Sequence, residues 1–84
     1  MNFTVVWLPD AEAELTTIWL ASGQRSAVTR AAAELDRRLA ANATTEGESR
    51  PNDRRITFEP PLAVIFRVNS ETATVVVSQI WAFQ

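Results

Sequence analysis

The chain has 84 residues, which is enough for one domain with a thin core and too few for two domains. It contains no cysteine and no histidine, which excludes disulfides, thiolate metal sites and the usual general base. Lysine and tyrosine are also missing, so all 8 positive charges are arginines, which stay protonated at ordinary pH. This composition disfavours an enzyme and removes the commonest metal ligands, and we expect no metal ion and no other cofactor.

The net charge of -2 argues against strong non-specific binding of nucleic acid, because neutralising phosphates requires an excess of basic groups. No apolar run approaches the length of a membrane span. The first residues, "MNFTVVWLPD", lack the basic region and the cleavage site of a signal peptide. We therefore expect a cytoplasmic protein that does not enter membranes.

The first half of the chain predicts a strand followed by two helices. The segment "NFTVVWL" is rich in β-branched and aromatic residues and precedes Pro9, which suits the first turn of a helix. Helical spacing predicts a helix from Pro9 to Ser22, closed by Gly23 as its C-cap. Ser26 is the predicted N-cap of a second helix. The apolar stripe of that helix consists of Val28, Ala31, Ala32, Leu35 and Leu39. The short link between the two predicted helices, residues 23–25, implies a helical hairpin.

The second half predicts a loop and three strands. Residues 42–52 are polar and aperiodic and contain a glycine and a proline, so they are predicted to form a loop. The period then changes to two. Ile56 and Phe58 alternate with polar residues before a Pro60-Pro61 turn, and residues 62–68 alternate after it. A turn at 69–72 precedes a last strand, whose three consecutive valines are typical of a central or doubly covered position.

The predicted structure is a single α+β domain, residues 1–84, with the order β-α-α-β-β-β. Its antiparallel sheet carries the helical hairpin on one face. The predicted core consists of Leu15, Ile18, Trp19, Val28, Leu35, Leu39, Ile56, Phe58, Val64 and Phe66.

Four segments, taken in order, resemble the RelE/ParE superfamily of bacterial toxins: "VVWLPDAEAELTTIW", "AVTRAAAELDRRLAAN", "GESRPNDRRITF" and "PLAVIFRV". The resemblance covers nearly the whole chain and implies the toxin of a type II toxin-antitoxin system. It implies that the hairpin covers one sheet face, that the opposite face is functional, and that an antitoxin wraps and neutralises the toxin. RelE-like members are ribosome-dependent endoribonucleases that cleave messenger RNA, whereas ParE-like members poison DNA gyrase by binding it.

Few of the residues that the RelE-like branch uses are present. Arg55 matches a basic residue on the first hairpin strand and is the one catalytic candidate. Thr57 stands at the position of a second basic residue, and Ala63 stands near the position of an arginine. Residues 82–84, "AFQ", replace an arginine and a tyrosine or histidine. The resemblance therefore favours a ParE-like protein that binds its target.

Two other functions stay open: a ribosome-dependent endoribonuclease with a rearranged site, and an inactive member. Cleavage of RNA through its 2'-hydroxyl requires a base, an acid and positive charge at the phosphate, and Arg55 supplies only the charge. Glu48 or Glu59 would have to act as the base, although surface carboxylates are usually only solvated.

Partner-binding candidates lie on the predicted open sheet face and at the end of the last strand: Arg54, Arg55, Ala63, Ile65, Arg67, Trp81 and Phe83. Ala63 and Ile65 provide an apolar centre, and Arg55 and Arg67 can form forked pairs with carboxylates. We expect this face to bind an acidic, amphipathic segment of the antitoxin, in an oligomeric complex, with gyrase or the ribosome as the cellular target. The alternative is that Arg54 and Arg55 are a solvated strand end and that the two C-terminal aromatics cover the helical hairpin.

Overall fold

The computed structural model describes residues 2–83 and, within that range, forms two helices and five strands. In chain order these are β1 (Thr4–Trp7), α1 (Pro9–Ala21), α2 (Arg25–Asn42), β2 (Glu48–Arg50), β3 (Arg54–Glu59), β4 (Leu62–Asn69) and β5 (Thr74–Ala82). None of these helices combines the length and the apolar character needed to cross a membrane.

The strands form one sheet in the order β1-β5-β4-β3-β2. Strand β5 is an inner strand between β1 and β4, as its valine run predicted, and the α+β class with helices on one face is confirmed. The sheet is mixed, however, because β1 pairs with β5 in parallel. Parallel neighbours need a long crossover, and the helices and the β3-β4 hairpin between them provide it. Strand β2 is an addition within the predicted loop, where three exposed polar residues give no strand pattern.

Both helix ends inside the hairpin differ from the prediction by one or two residues. Pro9 begins α1 as predicted, but the C-cap is Ser22 in an extended conformation, with φ -80° and ψ 141°, and not Gly23. The N-cap of α2 is Gln24 and not Ser26. The hydroxyl of Ser22 accepts a hydrogen bond from the backbone N–H of Gln24 at 2.8 Å. A serine therefore stabilises the turn between the helices, but this serine is Ser22 at the end of α1 and not Ser26.

The core lies between the helices and one face of the sheet. Five predicted members are confirmed: Val28, Leu35, Leu39, Val64 and Phe66. Leu15 and Ile18 are partly buried and pack against this cluster.

The prediction that Ile56 and Phe58 belong to the core is wrong. They pair with Ile65 and Ala63 on the sheet face turned away from the helices, and Phe58 is 49% exposed. Glu59 pairs with Leu62 across the two-residue turn, so the odd-numbered residues of β3 share a face with the core-facing residues of β4. The alternating pattern therefore gave the correct strand and the wrong face.

Trp19 was also predicted to be in the core and is 38% exposed. Its indole N–H donates to the hydroxyl of Thr29 at 3.1 Å, and the guanidinium of Arg25 lies 4.7 Å from the ring centroid. Arg25 also donates to the carbonyls of Trp19 and Leu20 at the end of α1. Trp19 therefore links α1 to α2 on the exposed side of the helical hairpin, where the hydroxyl of Thr29 accepts its indole N–H.

Candidate partner-binding face

The sheet face turned away from the helices, called the open face below, carries most of the candidate residues. Strand alternation and register place on it Val6, Glu48, Arg50, Arg54, Ile56, Phe58, Ala63, Ile65, Arg67, Val76, Gln79 and Trp81. No described helix packs against this face, and both helices contribute to the core on the other side.

The centre of the open face is aliphatic. Ile56 and Ile65 are a cross-strand pair, and both are partly exposed. Ala63 lies between Phe58 and Trp81, its partners on the two neighbouring strands, and is fully buried beneath them. A partner would therefore contact Ile65 and the two rings, but not Ala63 itself.

The aromatic residues form one end of the open face. The rings of Phe58 and Phe83 meet edge to face, with centroids 5.6 Å apart and an angle of 87°. The backbone N–H of Phe83 donates to the carbonyl of Pro61 at 2.9 Å, which holds the residue beside the β3-β4 turn. Phe83 also lines a cleft with Ile18 of α1, so it borders both the open face and the helical hairpin. Gln84, the last position compared with the RelE-like set, lies outside the described residues.

The prediction that Arg55 lies on the open face is wrong. Its cross-strand partner is Phe66, a core residue, so it points to the helix side. Its Nε donates to the carbonyl of Glu46 at 2.9 Å and its Nη2 to that of Gly47 at 3.1 Å. Gly47 has φ +69°, and a Cβ there would lie 2.0 Å from the carbonyl oxygen of Ile56, so only glycine fits this close approach. Arg55 therefore anchors the loop before β2.

The contacts of Arg38 on α2 were not predicted from the sequence. Its Nε and Nη2 donate to Oε2 of Glu46 at 3.2 and 2.5 Å, and its Nη2 donates to the hydroxyl of Thr57 at 2.9 Å. Its Nη1 donates to the carbonyl of Phe58 at 3.2 Å and to the carboxylate of Glu59. The sequence signal is weak, because "DRR" on an amphipathic helix is typical of a solvated face. This cluster fixes β3 to α2 and so supports the open face from behind.

The contacts of the cluster shift the pKa values of Arg38 and Glu46. The hydrogen bond from Arg38 holds the pKa of Glu46 below its ordinary value, although partial burial opposes the shift. The same bond raises the pKa of Arg38. Glu59 and Glu48 are the two acids considered as a catalytic base. Glu59 is paired with Arg38 in this cluster, and Glu48 is exposed, with its Oε1 3.2 Å from Nη2 of Arg50.

The positions matched to RelE-like basic residues are therefore not arranged as a site on the open face. Residues 55 and 57 both face the helices, and Thr57 is 4% exposed. Residue 63 is buried. Among residues 2–83, no group of three or more acidic side chains is arranged to hold a metal ion.

No protein-family model matches the sequence, and no curated protein matches it. Solved structures are similar over nearly the whole length. A chain of the RelBE2 toxin-antitoxin complex from Mycobacterium tuberculosis has 17% identity and a TM-score of 0.79, and the match covers 98% of this chain and 99% of that one. A chain of the chromosomal ParDE toxin-antitoxin system of P. aeruginosa has 18% identity, a TM-score of 0.74, and coverage of 99% and 98%.

This protein has a RelE/ParE-like fold. A third structure, the archaeal RelE-RelB complex from Pyrococcus horikoshii, is 13% identical with a TM-score of 0.65, and the match covers 98% of this chain and 96% of that one. At these identities the similarity concerns the fold. It includes complexes named for RelE and for ParE, so the RelE/ParE-like fold by itself does not choose between the two activities.

Proposed function

We propose that this protein is the toxin of a type II toxin-antitoxin pair and is neutralised by a cognate antitoxin. The observation that carries the proposal is the similarity of nearly the entire chain to chains from the RelBE2, ParDE and RelE-RelB complexes. The uncovered and partly apolar open face supports it, because an exposed apolar patch on a small protein is typical of a binding surface.

The mode of action that we propose is binding to a cellular target of the gyrase type. Arg55 is engaged with backbone carbonyls, and Glu46 and Glu59 are engaged with Arg38. These groups stabilise the fold, and using them to transfer protons would disrupt the attachment of β3 to α2. Cleavage of RNA needs a base and an acid beside the phosphate, and the chain has no histidine, lysine or tyrosine to supply them.

The proposal is tested by controlled expression of the gene alone and together with any neighbouring reading frame that encodes a candidate antitoxin. We expect growth arrest with the protein alone and normal growth when the candidate antitoxin is produced with it. The purified protein should inhibit supercoiling by gyrase and leave ribosome-bound messenger RNA intact. Growth arrest that the neighbouring product does not relieve would contradict the toxin-antitoxin assignment.

The second candidate function is a ribosome-dependent endoribonuclease, favoured by the arginines on the open face and by the fold similarity to the RelE-RelB complex. Sequence-dependent cleavage of messenger RNA on isolated ribosomes, lost when the open-face Arg54 is replaced by alanine, would establish it. A protein that binds the antitoxin but neither arrests growth nor acts on gyrase or messenger RNA would be an inactive member.

A further inference from the structure

The two edge strands of the sheet differ in how they are protected against pairing with a further strand. Strand β2 forms one edge and consists of exposed polar residues, a glutamate and an arginine among them, followed directly by Pro51. Charged side chains and proline are the features by which natural proteins block an edge strand. Strand β1, at the opposite edge, contains neither a charged residue nor a proline, and its pairing with β5 shows no register shift. The β1 edge therefore lacks the protection that the β2 edge has.

Alternate residues of β1 direct their backbone groups to opposite sides of the strand. The N–H groups of Thr4 and Leu8 donate to carbonyls at the start of β5 and within it, at 2.8 and 3.0 Å, so the even-numbered residues bond to β5. By this alternation, the N–H and C=O groups of Val5 and Trp7 point away from β5, at the free edge. Among residues 2–83, no backbone group outside the sheet bonds to them. They are donors and acceptors that a further strand can use.

Strand β1 is held in place from the helix side. The backbone N–H of Phe3 donates to the carbonyl of Ala40 near the end of α2 at 2.7 Å. The indole N–H of Trp7 donates to Oδ1 of Asp36 at 3.1 Å. The free edge is therefore already extended and fixed, so that pairing with it costs little conformational entropy.

The side chains beside the free edge are apolar and exposed. Val6 is 42% exposed, and Leu8, which continues the alternation just after β1, is 40% exposed. With Thr4 they lie on the open face, because the odd-numbered residues of β1 pair with buried residues of β5. Exposed apolar side chains next to free backbone groups are typical of an edge that pairs with another strand.

We propose that two copies of this chain associate through β1, with the two β1 strands antiparallel about a twofold axis at Val6. In this register Val5 faces Trp7 of the second copy, and each such pair exchanges both of its N–H···O bonds. The two copies of Val6 meet on the axis, and Thr4 faces Leu8 on either side of it. The product is one continuous sheet with both helical hairpins on the same side.

The pattern is self-complementary, which favours a second copy over another protein. The twofold register gives every free donor of β1 an acceptor and places the small Thr4 against the larger Leu8. The next pair outward would join Phe3 to Pro9, where Pro9 has no N–H and that of Phe3 is already bonded to α2. The pairing therefore ends with β1, and the assembly closes as a dimer. The inference does not rest on the proposed toxin-antitoxin function.

A cysteine placed on the axis tests the register. The chain has no cysteine of its own, so Val6→Cys introduces a single thiol. Residues that form a non-hydrogen-bonded pair across antiparallel strands have Cα atoms about 4.5 Å apart, within the range of about 4.4–6.8 Å that a disulfide spans. Val6→Cys should therefore form a covalent dimer with oxidised glutathione, seen on a gel without reductant.

Thr4→Cys is the matched control, because Thr4 is also exposed on the same face. It should stay monomeric, since the two copies of Thr4 are separated by about 13 Å along the strands, the rise of four residues. The double variant Thr4→Cys/Leu8→Cys should form the covalent dimer again, because these two positions face each other across the axis.

Sedimentation equilibrium measures the association without a crosslink. The average mass of the unchanged protein should rise from 9.3 kDa towards twice this value as its concentration is raised from about 10 μM to about 1 mM. Val6→Lys places two like charges on the axis and should raise the dissociation constant at least about tenfold. Leu20→Lys makes the same change of charge on α1, at a side chain 58% exposed, and should dimerise like the unchanged protein. Circular dichroism and the denaturation midpoint check that each variant is folded.

A monomer over this whole range, or a dimer that Val6→Lys leaves unchanged, would overturn the inference. So would loss of the dimer in Leu20→Lys alone, because the helices would then form the interface. Covalent dimers of Thr4→Cys in the same yield as those of Val6→Cys would refute the register. If the chain stays monomeric and the amides of Val5 and Trp7 are protected from hydrogen exchange only when a candidate antitoxin is added, that protein supplies the strand and the second copy is refuted. The toxin-antitoxin assignment is tested separately, by growth arrest and its relief.

Discussion

Replacing Arg38 by methionine should destabilise the fold far more than the same replacement of an exposed arginine on α2. Methionine keeps the length and the apolar stem of arginine and removes the guanidinium group. The change leaves Glu46, Glu59 and the hydroxyl of Thr57 without the donor that now serves all three. The two carboxylates would then face each other across the space that the positive charge occupied.

The magnitude follows from the exposure of the partners. Breaking a fully buried ion pair costs about 3–5 kcal/mol, whereas an exposed pair contributes about 0–1 kcal/mol. The side chain of Arg38 is 20% exposed, and those of Glu46 and Glu59 are 18% and 34% exposed, so water partly compensates both acids. We expect a loss of about 2–3 kcal/mol in the free energy of unfolding, a large share of the 5–15 kcal/mol that is typical of a domain. The melting temperature should fall by about 10–20 °C.

Urea denaturation followed by circular dichroism measures this loss, and the neighbouring residue offers a matched control. Arg37 is the same residue type on the same helix, but its side chain is 68% exposed and pairs only with Glu34. Arg37→Met should leave the free energy of unfolding close to that of the unchanged protein, because an exposed pair contributes little. Equal losses for the two variants, or a loss below about 1 kcal/mol for Arg38→Met with an unchanged slope, would refute the role assigned to the cluster.

Three further predictions concern the acid response and the core. Because the pKa of Glu46 is lowered in the folded protein, its stabilising contribution is present above the ordinary value of 4.5 and is lost as the pH falls through the folded pKa. The free energy of unfolding should therefore decline below that pH, and Glu46→Gln should flatten this decline; an identical pH dependence in the variant would show that other carboxylates cause it. Leu35 is fully buried, and Leu35→Ala should lower the free energy of unfolding by about 2–5 kcal/mol. Leu20 is 58% exposed, and in the same denaturation experiment Leu20→Ala should lower this free energy by less than about 1 kcal/mol. Phe66→Ala should cost about 3–5 kcal/mol and Phe58→Ala clearly less, and the reverse order would return Phe58 to the core.

The order of the elements was accessible from the sequence because it depends on local periodicity. The change from a spacing of three and four to a spacing of two separates the helices from the strands, and Pro9 marks the start of α1. The valine run of β5 predicted its position inside the sheet, between two other strands. The apolar residues of α2 lie on one side of the helix, which was sufficient to predict that they face the core. Val28, Leu35 and Leu39 are buried there.

The orientation of β3 shows how a correct pattern can lead to the wrong face. A strand with Ile56 and Phe58 on one side and Arg55 and Thr57 on the other is normally interpreted with its apolar side inward. The two-residue turn at Pro60-Pro61 contained the opposite signal, because residues that flank such a turn are cross-strand partners and share a face. Polar side chains can face the helix layer in this protein because Arg38 and the loop carbonyls supply their hydrogen bonds.

By itself, the sequence determined the α+β class, the helical hairpin and the helix side of the core, because each follows from residues close together in the chain. Only the tertiary structure decided the parallel pairing of β1 with β5, the attachment of Arg38 to β3 and the pairing of Arg50 with Arg54 on the open face. Each of these joins segments that are far apart in sequence or strands whose register sets the facing side. The physical reason is that periodicity specifies how a segment divides into two sides, whereas pairing across the sheet specifies what each side meets.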